Sequence, residues 1–251
     1  MADGSKLPIE GPGGEGSTSG RWAAALVHVF TASGIVCALL ATLALLDGAF
    51  ARAFGWLGIA FIIDGVDGTF ARMADVGRRL PRFSGERLDL VVDYVTYVFI
   101  PALALLMSGI LSGPVGVVIA ALILMSSLFH FSDHGSKTED HCFVGFPAIW
   151  NIVAFYLFAF PVPRWLAAVL ILVCVALTFV PMRWLHPVRV EKLLGLNIVA
   201  TVLWLAAGAY TIWAGFPAGL VAGGILAVVG LYGIALTVSW PWANPSDGGE
   251  H

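Results

Sequence analysis

Charged side chains are scarce in this chain of 251 residues: Asp, Glu, Lys and Arg together make up 12% of it, whereas soluble domains usually carry about 25%. Apolar residues make up 59%, and a soluble fold of this size exposes more polar surface than such a composition supplies. The formal net charge of −3 gives no basic field that would attract nucleic acid. We therefore exclude a soluble enzyme, a nucleic-acid-binding protein and a disordered chain.

Cysteine is also rare, with Cys37, Cys142 and Cys174 scattered along the chain and none of them in a C-x-x-C pair. This odd, scattered set predicts no disulfide framework, and we interpret the three thiols as buried small apolar groups. The first twenty residues lack a basic start followed by an apolar core and a cleavage site, so we expect no secretory signal peptide. Their Gly, Ser and Pro content is typical of a disordered tail.

Long apolar runs fill most of the remaining chain. A helix that crosses about 30 Å of hydrocarbon needs about 20 mostly apolar residues, and eight runs are candidates for such helices. They cover roughly residues 22–46, 50–74, 89–111, 114–132, 146–162, 165–182, 196–214 and 217–240. The sequence therefore predicts an all-α integral membrane protein with eight transmembrane helices. We expect a tail (1–20), a membrane domain (21–240) and a second tail (241–251).

Lys and Arg are concentrated on one side of this eight-span arrangement. Eleven of the 13 lie on the side of the N-terminus, and only Arg52 and Arg164 lie on the other side. Because cytoplasmic loops carry an excess of these residues, we expect both termini in the cytoplasm. The polar loops 73–88, 132–145 and 183–195 would lie on the same side as the termini.

Four aspartates flank the first of these polar loops. Asp64 and Asp67 are three residues apart, and Asp89 and Asp93 are four residues apart, so each pair occupies one face of a helix. The two helices are joined by a single loop and are expected to be neighbours. The spacing therefore predicts that four carboxylates converge at the membrane boundary.

Such a cluster needs a cation to offset its repulsion, since even one ionised Asp at the centre of a spanning helix costs about 2.5–3.5 kcal/mol. Carboxylate oxygens without His or Cys favour Mg²⁺ or Mn²⁺, and two such ions commonly clamp a phosphate chain. Gly65, Gly68 and Ala71 leave room for a ligand near the helix, and Arg72 offers a planar fork to a phosphate. The alternative interpretation is that these acids are interfacial residues paired with nearby Arg.

These residues form the pattern D-x-x-D-G-x-x-A-R over 64–72 and, after twelve residues, G-x-x-x-D-x-x-x-D over 85–93. The pattern resembles the CDP-alcohol phosphotransferase family, in which the spacer usually has about eight residues. The longer spacer, together with segments 137–151 and 179–189, resembles a bacterial branch of that family whose members make phosphatidylcholine from CDP-diacylglycerol and choline. The resemblance covers most of residues 22–240.

The resemblance implies an enzyme with a helical bundle, an active site at the cytoplasmic boundary of the bacterial inner membrane, and a homodimer. Two divalent ions, Mn²⁺ or Mg²⁺, would be bound in the membrane domain, and Asp93 would also be the general base. Roles in binding the donor CDP-diacylglycerol would fall to a second set of residues. The implied metal ligands are Asp64, Asp67, Asp89 and Asp93, and the implied donor-binding residues are Asp64, Gly68, Ala71, Arg72 and Gly85.

Choline is a permanent cation that aromatic faces and a nearby carboxylate can bind. The candidates are Tyr94, Tyr97, Glu139, Asp140 and Trp150, although aromatic residues at helix ends also form interfacial belts. Polar residues of the first span, His28, Thr31 and Ser33, are expected to bond to another helix or to contact the nucleotide. The remaining alternatives are the same chemistry with serine, inositol or glycerol phosphate as acceptor, and a transporter with intramembrane carboxylates.

Overall fold

A computed structural model describes residues 18–133, 143–181, 183–184 and 193–243 of the chain. Residues 1–17 and 244–251 of the predicted tails 1–20 and 241–251 lie outside the described residues, as do Glu139 and Asp140, whereas residues 18–20 and 241–243 belong to the first and last helices. The described part is almost entirely helical. Its helices are α1 (Thr18–Leu46), α2 (Phe50–Met73), α3 (Val76–Arg79), α4 (Gly85–Asp93), α5 (Ile100–Met107), α6 (Gly113–Ser132), α7 (Trp150–Ala159), α8 (Arg164–Leu177), α9 (Leu194–Ala214) and α10 (Leu220–Ala243).

Six helices in the described ranges are long and apolar enough to cross a membrane. They are α1, α2, α6, α9, α10 and the continuous helix Gly85–Met107, in which a π-helical segment, Tyr94–Phe99, joins α4 to α5. The outward side chains of these helices include Trp213 and Leu220, which are 81% and 95% exposed. Lipid covers such faces at little cost, so the chain is an all-α integral membrane protein, as predicted.

The helix Gly85–Met107 begins and ends four residues earlier than the predicted span 89–111. It begins early because the Ser84 side chain caps α4 by accepting a hydrogen bond from the Arg87 backbone N–H at 3.2 Å, which satisfies an otherwise unpaired donor. It ends early because Gly109 adopts a φ of +75°, a conformation that stops a helix and that Gly adopts without strain.

The predicted fifth and sixth spans contain the shorter helices α7 and α8, of 10 and 14 residues. The prediction of a full-length helix over 146–162 is wrong at its start, because residues 145–149 are irregular. Phe146 and Ala148 are nonetheless buried, and their backbone N–H groups bond to the carbonyls of Leu177 and Phe146. Irregular backbone is tolerated at membrane depth where protein buries it and pairs its polar groups.

Small residues bring the first helices into close contact. Ala38, Ala41 and Ala44 of α1 are almost completely buried, and small side chains let membrane helices approach closely. A Cβ placed on Gly34 of α1 would lie 2.6 Å from Cγ1 of Val92 on α4. Helices α1, α2 and α4 therefore form one tight unit around the predicted acidic residues.

Two contacts each join a pair of separate polar segments. Strand β1 (Phe143–Val144) pairs antiparallel with β2 (Arg183–Trp184), which joins the segments before α7 and after α8. The Arg79 side chain lies against Gly20 near the start of α1. The pairing between the strands agrees with the expectation that the loops 132–145 and 183–195 share a side.

Candidate active site

The acidic residues come from two adjacent helices. Asp64 and Asp67 lie in the second half of α2, and Asp89 and Asp93 lie along α4. One carboxylate oxygen from each of Asp64, Asp89 and Asp93 lies within 4.8 Å of the others. The sequence-based prediction that the two acid pairs share one site is thus supported by the geometry of three of its four members.

Asp67 completes the group from the side of α2. It is 7% exposed and lines the same narrow space as the other three aspartates, together with Thr31, Ala60, Ile63 and Val92. A metal bound by carboxylate oxygens at about 2.0–2.6 Å has ligand atoms up to about 5 Å apart. The oxygen-only donor set and its spacing therefore fit a hard divalent cation such as Mg²⁺ or Mn²⁺.

We define Asp64, Asp67, Asp89 and Asp93 as the acidic cluster. A cavity of about 830 Å³ adjoins it. Asp67, Asp89 and Thr31 line both spaces, so they mark the boundary between them. The predicted donor-binding residues on the cavity wall are Gly68, Ala71, Arg72 and Gly85. The geometry thus gathers the glycines, the small residue and the guanidinium of the pattern on one wall.

Two glycines set the shape of this cavity. A Cβ placed on Gly85 would lie 3.3 Å from Cε1 of His28, and one placed on Gly68 would lie 3.5 Å from a guanidinium nitrogen of Arg72. Arg72 donates a hydrogen bond to the Thr69 hydroxyl at 3.1 Å, which holds its side chain beside the helix. The absence of side chains at positions 68 and 85 therefore leaves space at the level of the acids.

Part of the wall consists of residues that the pattern did not single out. The loop between α2 and α4 contributes Asp75, Val76, Gly77, Pro81, Phe83 and Ser84, and α4 contributes Glu86. The signal in the sequence was the spacer of twelve residues between the two halves of the pattern, since a longer connection between neighbouring helices needs somewhere to fold. It folds over the cavity, with the short helix α3 inside it.

His28 and Thr31 of α1 also line the cavity. Among the described residues, the buried Nε2 atom of His28 has no hydrogen-bond partner, and its ring packs in a T-shaped arrangement with Phe83 at a centroid distance of 6.3 Å. Both residues therefore lie on the cavity wall, which favours contact with the nucleotide over a hydrogen bond to another helix.

The aromatic residues expected to bind choline take different positions. Trp150 is fully buried, and its Nε1 donates to the Ser127 hydroxyl at 2.8 Å, so packing explains this ring and its burial argues against contact with choline. Tyr94 donates to the Leu124 carbonyl at 3.0 Å. Tyr97 is buried, and its hydroxyl donates to Oδ2 of Asp64 at 2.5 Å, a contact that the sequence analysis did not anticipate.

Comparison with known proteins gives a consistent result, although no family model matches the chain. The chain is 43% identical over 186 residues to a phosphatidylcholine synthase of Agrobacterium fabrum, and the aligned region covers 74% of this chain and 77% of the relative. It is 46% identical over 179 residues to a phosphatidylcholine synthase of Pseudomonas aeruginosa, and the aligned region covers 71% of this chain and 75% of the relative. A protein of the same name from Bradyrhizobium diazoefficiens is 45% identical over 199 residues, covering 79% and 74%. At this identity and coverage, with every residue of the acidic pattern in place, the chain belongs to the phosphatidylcholine synthase family.

Proposed function

We propose that this protein transfers the phosphatidyl group of CDP-diacylglycerol to choline and releases CMP. The observation that carries the proposal is the position of the acidic cluster beside a cavity of about 830 Å³ lined by Gly68, Arg72 and Gly85. An acidic site that holds divalent cations next to a space of this size suits a nucleotide-linked diphosphate. The names of the relatives support choline as the acceptor.

The acidic cluster is proposed to bind two divalent cations, Mn²⁺ or Mg²⁺. Asp64, Asp89 and Asp93 have the spacing that one ion needs, and Asp67 extends the donor set toward the cavity. When bound, such ions stabilise negative charge on a diphosphate and on its leaving group. Without a cation, four carboxylates in so small a space would repel one another strongly.

The chain's own residues supply the other functions. Asp93 takes the proton of the choline hydroxyl as its oxygen attacks the phosphorus that carries diacylglycerol. Arg72 binds the diphosphate through charge-assisted hydrogen bonds, and CMP leaves with the electrons of the broken P–O bond. Gly68, Ala71 and Gly85 leave room for the cytidine against the helices.

The choline ammonium is proposed to lie against aromatic faces near the end of α4. Tyr94 is half-buried, whereas Tyr97 and Trp150 are buried, so Tyr94 keeps more of its ring open to a ligand than the other aromatic candidates do. The ring of Tyr97 is a weaker candidate for contact with the choline ammonium. Glu139 and Asp140 would add negative charge. A change of Tyr94 to Ala that leaves the KM for choline unmoved would remove Tyr94 from this part of the proposal.

The proposed topology has eight spans in the bacterial inner membrane, with both termini and the active site on the cytoplasmic side. Residues 21–240 would form the catalytic domain between two cytoplasmic tails. The asymmetry of Lys and Arg supports this orientation, and buried, hydrogen-bonded backbone at 145–149 lets α7 serve as a span despite its length. We also propose a homodimer, which light scattering of the purified protein would test.

An acceptor panel tests the activity. Purified protein receives CDP-diacylglycerol and Mn²⁺ with choline, serine, inositol or glycerol phosphate, and CMP release and lipid products are measured. We expect phosphatidylcholine, and no CMP release without choline or after chelation of the metal. A product from serine but not from choline would show that serine, not choline, is the acceptor. An absence of CMP release with every alcohol would favour the transporter alternative.

A further inference from the structure

We infer that Tyr97 is a positioning residue whose hydroxyl holds the Asp64 carboxylate in the orientation that binds a divalent cation. The inference rests on the proposed function, because the cation is the one that this function requires. It assigns to Tyr97 a role that differs from the choline contact considered for it above.

The contact is specific and rigid. The Tyr97 hydroxyl donates to Oδ2 of Asp64 at 2.5 Å, across 33 residues of sequence. Only 9% of Tyr97 is exposed, and its ring meets the edge of Phe61 at a centroid distance of 6.2 Å. Because the ring is buried and packs against Phe61, the hydroxyl is held beside the Asp64 carboxylate.

The position of Tyr97 on its helix explains why it reaches the acidic cluster. Asp89, Asp93 and Tyr97 follow one another at intervals of four residues along a single continuous helix, so they lie on one face. The helix changes to the wider π-helical turn at Tyr94, and such turns are frequent at functional sites. The face that carries two of the carboxylates thus continues to the hydroxyl.

The physical effect is on Asp64 rather than on the substrate. Like charges within 4.8 Å tend to turn carboxylates away from one another, and a hydrogen bond from a fixed donor opposes that rotation. Hydrogen-bonding partners of metal ligands typically change metal affinity or activity by about 10–100-fold when they are removed. The burial of the ring, by contrast, leaves little aromatic face for a choline ammonium.

The test is a comparison of Mn²⁺ affinity between the parent protein and Tyr97→Phe. The full-length protein is purified in detergent, and unbound Mn²⁺ is measured by its electron paramagnetic resonance signal, with no substrate present. We expect Tyr97→Phe to bind Mn²⁺ about 10-fold more weakly. In activity assays the Mn²⁺ concentration for half-maximal rate should rise, kcat should recover at high Mn²⁺, and the KM for choline should not move.

Tyr156→Phe is the matched control. It also removes a partly buried hydroxyl that bridges helices, since Tyr156 donates to the Leu226 carbonyl at 2.8 Å and accepts from Trp204 Nε1 at 2.9 Å. These contacts involve none of the acidic residues. The control should therefore bind Mn²⁺ as tightly as the parent.

The outcomes separate the inference from the proposed function. Unchanged Mn²⁺ affinity in Tyr97→Phe, or a raised KM for choline alone, overturns the inference and leaves the proposed function standing. A parent protein that binds no Mn²⁺ overturns both. If Tyr97→Phe does not fold, a structure of the parent with Mn²⁺ decides: the hydroxyl on Asp64 with that carboxylate on the ion supports the inference, and any other partner for the hydroxyl overturns it.

Discussion

Gly85 at the start of α4 lies directly against His28 of α1, at a point where a Cβ would come within 3.3 Å of the imidazole carbon Cε1. Both residues line the cavity beside the acidic cluster. The width of the cavity at this point is therefore set by the absence of one methyl group.

Substitution of Gly85 by Ala is expected to raise the KM for CDP-diacylglycerol about 10-fold, with a smaller effect on kcat. The added methyl must displace His28, and overpacking of this kind costs about 1–3 kcal/mol, where 1.4 kcal/mol corresponds to about 10-fold in affinity. Gly58→Ala on α2 is the control, since a Cβ at Gly58 meets nothing within 4 Å among the described residues. Equal KM values for the two variants would show that Gly85 does not limit the space for the donor.

Arg72→Lys keeps the positive charge of Arg72 but removes its planar fork. Because bidentate hydrogen bonds to phosphate oxygens are strong and geometrically specific, we expect the KM for CDP-diacylglycerol to rise by about 10-fold. Steady-state kinetics with varied donor measures it. Arg52→Lys, which alters the exposed Arg52–Asp47 ion pair of 3.2 Å, is the control and should have the KM of the parent. If no diphosphate binds at Arg72, Arg72→Lys should also have the KM of the parent.

Asp93→Asn is expected to lower kcat by at least about 100-fold, because a general base contributes about 10²–10⁴-fold to a rate. The amide cannot accept the hydroxyl proton but keeps the shape of the side chain. Single-turnover formation of phosphatidylcholine at saturating substrates measures the effect. Asp47→Asn, at the exposed ion pair between α1 and α2, should keep full activity. A folded Asp93→Asn protein with most of its activity would refute the role as base.

Gly34→Ala should destabilise the protein, since its Cβ would lie 2.6 Å from Cγ1 of the buried Val92. We expect a loss of about 1–3 kcal/mol of folding free energy, seen as a lower midpoint of thermal unfolding. Gly58→Ala on α2 adds a Cβ that has no neighbour within 4 Å in the part of the chain that the structure describes, and it should gain about 0.5–1 kcal/mol from its better helix propensity. Equal midpoints would contradict the close approach of α1 and α4.

Sequence patterns were informative where one physical rule dominated. The apolar runs anticipated the helices, because apolar segments in lipid must satisfy their backbone internally. The spacing of Asp64 and Asp67, and of Asp89 and Asp93, anticipated the acidic site, because helical periodicity puts such residues on one face.

The remaining features depend on tertiary contacts that no local pattern encodes. The irregular start before α7 is stable only because distant residues bury it and bond to it, as Leu177 does for Phe146. Trp150 was predicted to bind choline because it is aromatic, but a buried hydrogen bond to Ser127 fixes its position. The hydrogen bond between Tyr97 and Asp64 comes from a residue within a π-helical segment, and apolar periodicity does not distinguish such a segment from a regular helix.

The helix that carries Asp89, Asp93 and Tyr97 has a consequence for how this segment tolerates insertions and deletions. A substitution alters one contact, whereas the loss or gain of one residue between Asp93 and Tyr97 would change the direction of every side chain beyond it, since each residue turns an α-helix by about 100° and the wider π-helical segment Tyr94–Phe99 by a smaller angle. The Tyr97 hydroxyl would then point away from α2. The length of this stretch is thus constrained more strictly than the identity of its apolar side chains.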